Sequence, residues 1–246
     1  MRDGSGLGAA FLNLALSVSV VAHSQQAPGA ASQLTPQEIQ RINGRGFPGS
    51  DAGLIPRLLA GTTGDLVIRD VYSAFEIGIM PADPSGQIAS LTCYSKLVVV
   101  GQVTAQSSHM TANQGSVYTE LTVAINEVIK QNLRARATAG GAITVLKPGG
   151  DIQIAGRKVS ASRRGLRDVE TGRDYLLSLN GYIAETGAYT TTAIGFDLSN
   201  ATVRGLDERG YFKDLEAMSR LTFLQVVRST MARLAAAGHC QGGGIQ

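Results

Sequence analysis

The alternation of apolar and polar residues predicts a series of β-strands in the middle of the chain. Residues 97–103 form an apolar, β-branched run typical of a strand buried on both sides or deep in a barrel. A polar turn is expected at 107–115, followed by a long alternating strand from 117 to 129. Strands of this length usually bend through a bulge when they wrap around a small barrel.

Shorter strand patterns follow, each bounded by turn residues. They cover residues 143–146, 151–155, 175–179, 189–196 and 198–203. Together with the central strands they predict six or seven strands whose turn spacing suits a small closed or partly open antiparallel barrel, or a sandwich.

The period changes to that of a helix near the end of the chain. Apolar residues at spacings of three and four are Leu215, Met218, Leu221, Leu224, Val227, Met231 and Leu234. This stripe predicts an amphipathic C-terminal helix over 211–240 that packs on the barrel. Asp214 is its expected N-cap and Gly238 its expected stop, and residues 241–246 are expected to form a flexible tail.

The first third of the chain predicts less regular structure. Thr35, Pro36 and Glu38 give an N-cap, a first-turn proline and a capping box, which predict a short helix ending near residue 44. Alternation over 66–80 predicts an accessory strand, and Ile88 and Leu91 lie on one face of a second short helix. The fold class is therefore mainly β (α+β), with a linker, helix and accessory strand over 25–85 and the barrel domain over 86–210.

Residues 1–24 have the features of a secretory signal peptide. Arg2 precedes an apolar run over 7–21, and Ala22 and Ser24 provide small residues before the expected cleavage site. A single transmembrane anchor is the alternative, but the run is shorter than the ~20 apolar residues that cross a bilayer. The mature protein is expected in the periplasm or the medium.

The chain has 2 cysteines, Cys93 and Cys240. An even count in an exported chain predicts one disulfide bond between them, with two buried free thiols as the alternative. The bond would close a long loop and stabilise the fold by ~4–5 kcal/mol in the chain-entropy picture.

Composition argues against several function classes. The 22 Lys and Arg residues nearly balance 19 Asp and Glu residues, for a net charge of +3, and there is no tryptophan. Nucleic-acid binders usually have a larger, clustered excess of basic residues and aromatic stacking surfaces, so this partner is not expected.

Part of the chain, about 86–205, resembles secreted bacterial domains of netrin-like or oligonucleotide/oligosaccharide-binding (OB) barrel type. The resemblance rests on a cysteine-containing helix that leads into the 97–103 run, on the strand ending 126–130, on residues 172–179 and on the closing 195–198. It implies a barrel followed by a helix. The tissue inhibitors of metalloproteinases share this barrel type but use an N-terminal cysteine, whereas Cys93 is internal, so their inhibitory role is not carried over.

No catalytic, cofactor or metal site is predicted. The histidines that remain after signal cleavage, His109 and His239, occur in no paired metal-binding spacing, and His109 is expected to be solvent-exposed in the predicted turn. No nucleophile turn of the hydrolase type occurs after the signal. Glu120 and Glu127 are expected on opposite faces of the long strand, and Glu127 either pairs with an arginine or lies at the bulge.

The chain has one cluster of positive charge. It contains Arg157, Lys158, Arg163, Arg164, Arg167 and Arg173, all in a segment expected to be a loop. A solvated loop is the ordinary interpretation. The functional alternative is a patch centred on Arg163, Arg164 and Arg167 that binds an anionic envelope polymer or an acidic protein.

Three functions compete. The first is a non-enzymatic extracytoplasmic binding or interaction module, with no cofactor and no stable membrane insertion. The second is an inhibitor or regulator of a secreted hydrolase. The third is a hydrolase of unfamiliar type, which would require Glu127, His109 and either Asp151 or Asp168 to converge in one pocket.

Overall fold

A computed structural model describes residues 34–47, 51–69, 83–132, 137–162, 165–208, 210 and 212–238. The protein is mainly β, as predicted. Its strands are β1 (Leu66–Arg69), β2 (Leu97–Met110), β3 (Val117–Gln131), β4 (Ala142–Pro148), β5 (Gly150–Ile154), β6 (Arg157–Ser162), β7 (Asp174–Ile183), β8 (Ala188–Asp197) and β9 (Arg204–Gly205). Its helices are α1 (Pro36–Arg45), α2 (Leu54–Gly61), α3 (Pro84–Tyr94), α4 (Lys213–Glu216) and α5 (Arg220–Ala236).

Six strands form the main sheet, in the order β4-β3-β2-β7-β8-β9. Strands β2, β3 and β4 are consecutive antiparallel neighbours, and β7 pairs antiparallel with β2 on its other side. At the far end, β4 meets β8 in parallel through Val145↔Tyr189 and Leu146↔Thr190. The sheet therefore curls into a partial ring.

The inside of this ring holds an apolar cluster drawn from all five strands that surround it. Val99, Leu121, Val145, Leu177 and Tyr189 belong to this cluster, and none is more than 4% exposed. Alternate residues of each strand point inward, as the period of two requires.

The predicted bulge occurs in β3. Its pairing with β2 shifts register between Val98 and Val99 and again between Val100 and Gly101. Each shift adds one unpaired residue to β3 and reverses the faces that follow. Ile129 therefore packs against the outer cluster and does not continue the inner face of β3.

Helices cover one outer face of the ring. Val98 and Val100, the outward residues of β2, pack in a cluster with Leu91 of α3 and with Phe223 and Val227 of α5. The prediction that this strand is buried on both sides is confirmed. A C-terminal helix packed on the sheet is confirmed as well.

The C-terminal helix begins later than predicted. In place of the one predicted helix, the structure has two, α4 and α5. The N-cap of α5 is Ser219, whose side chain accepts a hydrogen bond from Thr222 N. Because the helix restarts at Ser219, Leu221 leaves the apolar stripe and is 81% exposed. Of the predicted strand over 198–203, the structure has only an isolated bridge at Thr202, and the short β9 follows it.

A second sheet has the order β1-β6-β5 and packs with α2 against one end of the ring. The sequence predicted neither α2 nor β6, because the basic residues of β6 suggested a loop. Arg157 is the central contact of this unit. Its guanidinium group donates to the Leu59 and Gly64 carbonyl oxygens and to Thr62 Oγ1.

Helix α1 has the predicted capping box, formed by Thr35 and Glu38. It lies over the opposite outer face, where Phe47 stacks on Tyr118 at 5.7 Å between ring centroids. The turn predicted at 107–115 is displaced, because β2 continues to Met110 and the turn spans 111–116.

Several predictions lie outside the described residues. These are the signal peptide over 1–24, most of the accessory strand over 66–80, the tail over 241–246, and Cys240. The pairing of Cys93 with Cys240 therefore stays a prediction. Among the described helices, none combines the length and apolar character that crossing a bilayer requires.

Candidate functional site

An open cleft of about 240 Å³ lies where the loop at 165–173 passes over β9 and the end of β8. Its lining residues are Arg167, Asp168, Glu170, Arg173, Asp197, Arg204, Gly205, Leu206 and Glu208. We call this the arginine cleft. The loop is held here because its apolar residues Leu166 and Val169 pack into the inner cluster of the ring, while the residues between and beside them line the cleft.

Arg173 is fixed by two carboxylates. One terminal nitrogen donates to Asp197 Oδ2 at 2.9 Å, and Asp197 is itself only 9% exposed. Its Nε lies 2.8 Å from Oε2 of Glu170, which is largely exposed. The hydrogen bond to Asp197, followed by the charge of Glu170, raises the pKa of Arg173.

Arg167 is held more deeply. One terminal nitrogen donates to Glu216 Oε1 at 2.9 Å and to the Gly205 carbonyl oxygen. Glu216 also accepts from Gly205 N at 2.8 Å, which joins α4 to β9. The Nε of Arg167 lies 3.8 Å from Glu208 Oε1 and has no hydrogen-bond acceptor, although it is buried.

Arg204 is the third guanidinium group of the cleft. It is exposed, and its side chain makes no hydrogen bond or ion pair with any other residue that the structure describes. Its backbone pairs with Asp197 in the β8–β9 ladder, which places it at the cleft edge. It is the lining cation best placed to meet a ligand.

A lysine anchors the loop from the other side. Lys147 lies two residues after Val145 in β4, so its side chain lies on the same, inner face of the strand. That side chain is only 10% exposed. Its ammonium group lies 3.2 Å from Asp168 Oδ1. Asp168 itself is 92% exposed, so this contact links the loop to β4 while the carboxylate stays open to solvent.

The predicted basic cluster divides into two groups in the structure. Arg157 and Lys158 belong to β6, and Lys158 pairs with Asp151 at 2.8 Å. Arg167 lines the cleft, as does Arg173. Arg163 and Arg164 lie outside the described residues, immediately before Gly165 in the sequence. The cluster is therefore not one continuous solvated loop.

His109 is less exposed than predicted. It lies in β2 rather than in a turn, its side chain is 18% exposed, and its ring packs on Tyr118 with 5.6 Å between centroids. Its Nε2 is 3.9 Å from Glu120 Oε2.

A polar network lies under α1 beside this histidine. Asn43 donates to Glu120 Oε1 at 2.8 Å and accepts from Thr186 at 2.7 Å. The hydroxyl of Tyr118 donates to the Gln40 carbonyl oxygen at 3.0 Å. Burial, followed by the neighbouring Glu120 carboxylate, raises the pKa of Tyr118. The network joins α1 to β3 and to the β7–β8 turn.

The residues of the hydrolase hypothesis each have a different partner. Glu127 pairs with Arg228 of α5 through two hydrogen bonds of 2.8 and 2.6 Å, which is one of its two predicted roles. Asp151 pairs with Lys158, Asp168 with Lys147, and His109 lies beside Glu120. These contacts do not gather the residues into one pocket.

Glu120 and Glu127 were predicted on opposite faces of the strand, and this is wrong. Glu127 pairs with the outward Val100. Glu120 lies two residues from Tyr118, which packs outside the ring against Phe47. The register shift between these positions brings both carboxylates to the outer surface.

Within the described part of the chain, no group of three or more potential metal-ligating side chains is close enough to hold an ion. The cleft donors are the guanidinium groups of Arg167, Arg173 and Arg204, which suit anions, and four carboxylates line the cleft beside them.

The sequence pointed to Arg167 and Arg173 as members of the basic cluster but missed the role of Arg204, Glu170 and Glu208 in the cleft. Arg204 is isolated in the sequence, and Glu170 and Glu208 are ordinary surface acids. A usable signal existed only in the loop, where Leu166 and Val169 alternate with charged residues. No family model matches the chain, and no curated protein is significantly similar to it.

Proposed function

We propose that the protein is an exported, non-enzymatic binding module of OB or netrin-like barrel type, whose arginine cleft binds an anionic polymer. Export rests on the signal-like segment at 1–24 and on the predicted Cys93–Cys240 bond. Mass measurement with and without reductant tests the bond, since two alkylatable thiols in the unreduced protein would contradict it.

The strand connections support the barrel part of the proposal. Three antiparallel strands, β2 to β4, are followed by a hairpin, β7 and β8, that returns to β2 on one side and meets β4 in parallel on the other. This is the connectivity of an OB barrel, with a helix after the last strand as in netrin-like domains. Such a fold supports many functions, so the site must decide between them.

The observation that supports anion binding is the uncommitted Arg204 at the edge of a cleft that already contains two guanidinium groups. Guanidinium groups bind carboxylate, sulfate and phosphate oxygens through paired donors. In the sequence, Arg163 and Arg164 directly precede the loop at 165–173.

A polymer fits this site better than a protein partner does. Protein interfaces usually contain aromatic or aliphatic anchors at their centre. Among the described residues that line the cleft, Leu206 is the one large apolar residue, and at 4% exposure it offers little surface to a partner. Repeated acidic groups need only spaced cations.

The test measures binding of dextran sulfate and of poly-glutamate to the full mature chain by calorimetry at low ionic strength. Arg204→Ala should weaken dextran sulfate binding at least about tenfold, because a charge-assisted hydrogen bond contributes roughly 1.5–3 kcal/mol. Arg57→Ala is the matched control, since Arg57 is exposed on α2 and does not line the cleft.

The comparison of Arg204→Ala with Arg57→Ala tests whether the arginine cleft is the binding site. Equal affinities of the Arg204 and Arg57 variants would overturn the proposed site. Binding to poly-glutamate alone would favour an acidic protein as partner and contradict the polymer. Binding should also fall steeply between low and physiological salt, because exposed charges are screened.

A further inference from the structure

Arg167 and Arg173 are held in the same way. In each, a terminal nitrogen binds a shielded carboxylate at 2.9 Å and the Nε faces a more exposed carboxylate. For Arg173 the exposed partner is Glu170, at 2.8 Å, and for Arg167 it is Glu208, at 3.8 Å. The side chains of these two acids are 61% and 53% exposed.

The two kinds of partner differ in how easily they can be exchanged. Asp197 and Glu216 are 9% and 27% exposed, and breaking an ion pair to a shielded carboxylate leaves a charge that water solvates poorly. An ion pair to an exposed carboxylate contributes little, because water screens the two charges. Asp197 and Glu216 therefore fix the positions of the arginines, whereas Glu170 and Glu208 can be replaced by another anion at little cost.

The Nε of Arg167 gives a second reason to expect that an anion can replace Glu208. It is buried and has no acceptor, because Glu208 stays 3.8 Å away. A buried donor without an acceptor destabilises the fold, because it has lost its hydrogen bonds to water. An anionic oxygen that displaced Glu208 and approached to hydrogen-bond distance would recover this energy.

We propose that Glu170 and Glu208 are built-in competitors of the ligand, which occupy the Nε edges of Arg173 and Arg167 until a molecule with two anionic groups displaces them. The proposal rests on the proposed function and narrows its ligand to a polyanion whose neighbouring charges bind both edges together. Arg204 then provides the first contact.

The experiment removes the competitors and keeps their size. Glu170→Gln, Glu208→Gln and the double variant are titrated with inorganic tripolyphosphate and with orthophosphate at one fixed ionic strength. Each single variant should bind tripolyphosphate about two- to fivefold more tightly, which corresponds to the free energy of one exposed ion pair. The double variant should exceed both, and the gain should be smaller for orthophosphate, which has a single anionic group.

Glu185→Gln provides the matched control, because Glu185 is an exposed acid in the β7–β8 turn and does not line the cleft. It removes the same charge and should change affinity much less. Gains equal to this control, or no gain in the cleft variants, would overturn the inference while Arg204→Ala still weakens binding. If Arg204→Ala has no effect either, the proposed function itself fails.

Discussion

Asn43 joins three parts of the fold, and its replacement by aspartate tests how α1 is held. The side chain is fully buried, donates to Glu120 at 2.8 Å and accepts from Thr186 at 2.7 Å. Asn43→Asp keeps the size and the bond from Thr186. It replaces the donor that faces Glu120 with a second carboxyl group.

The size of the effect follows from charge repulsion. Two carboxylates at this separation cannot both be ionised, so one must take up a proton on folding. Protonating an aspartate of ordinary pKa at pH 7 costs about 1.36 kcal/mol per pH unit above that pKa, or about 4 kcal/mol in all. The cost falls to about 1 kcal/mol at pH 4.5, because the unfolded chain is then itself partly protonated.

Urea unfolding of the wild type and Asn43→Asp at pH 7 and pH 4.5 measures this difference. Adding Glu120→Gln should restore most of the stability at pH 7, since glutamine supplies a donor to the new carboxylate. Gln37→Ala, an exposed change in the same helix, should have little effect at either pH. A loss that is the same at both pH values, or that Glu120→Gln does not reverse, would refute the reasoning.

Three further predictions concern stability, each measured by urea unfolding. The hydrogen bond from Arg228 lowers the pKa of Glu127, so this pair stabilises the fold above the ordinary glutamate pKa and is lost as the pH falls through the lowered value. Arg228→Ala should therefore cost about 0.2–1 kcal/mol at pH 7 and less at pH 3; an equal cost at both would contradict the pair. Phe223→Ala, in the outer core, should cost about 3–5 kcal/mol, whereas the exposed Leu221→Ala should change stability by less than about 0.5 kcal/mol; similar costs would contradict the helix register. Gly101→Ala would place its Cβ 2.5 Å from a β3 carbonyl oxygen and should destabilise by roughly 1–3 kcal/mol; a neutral effect would contradict this close approach.

The sequence predicted correctly those helices and strands that are determined by residues close to each other in the chain. The capping box of Thr35 and Glu38 determines where α1 begins, and the β-branched run of β2 is buried on both faces. Both depend on neighbours within a few residues. The apolar alternation of β3 likewise gave its position and the need for a bulge.

The predictions that failed concern residues whose environment depends on contacts between parts of the chain that are distant in sequence. His109 was placed in a turn because its neighbours are polar, but β3 pairs with this part of β2 and α1 covers the strand opposite it. The helical spacing through Leu221 continues across a break that only the Ser219 cap reveals. The cleft was largely invisible, because Arg204, Glu170 and Glu208 meet only after the sheet has curled.

The contacts of Arg157 have a consequence for the order in which the chain folds. This side chain closes α2 through Leu59 and anchors the start of β1 through Gly64, at sequence separations of 98 and 93 residues. Among the described strands, β1 pairs with β6 alone, in parallel. Contacts this far apart must overcome a large loop-closure entropy and form slowly. Because the chain is made from its N-terminus onward, residues 51–69 are present before β6 and stay unpaired until β6 forms. This segment is therefore the natural place for a chaperone or protease to act before folding is complete.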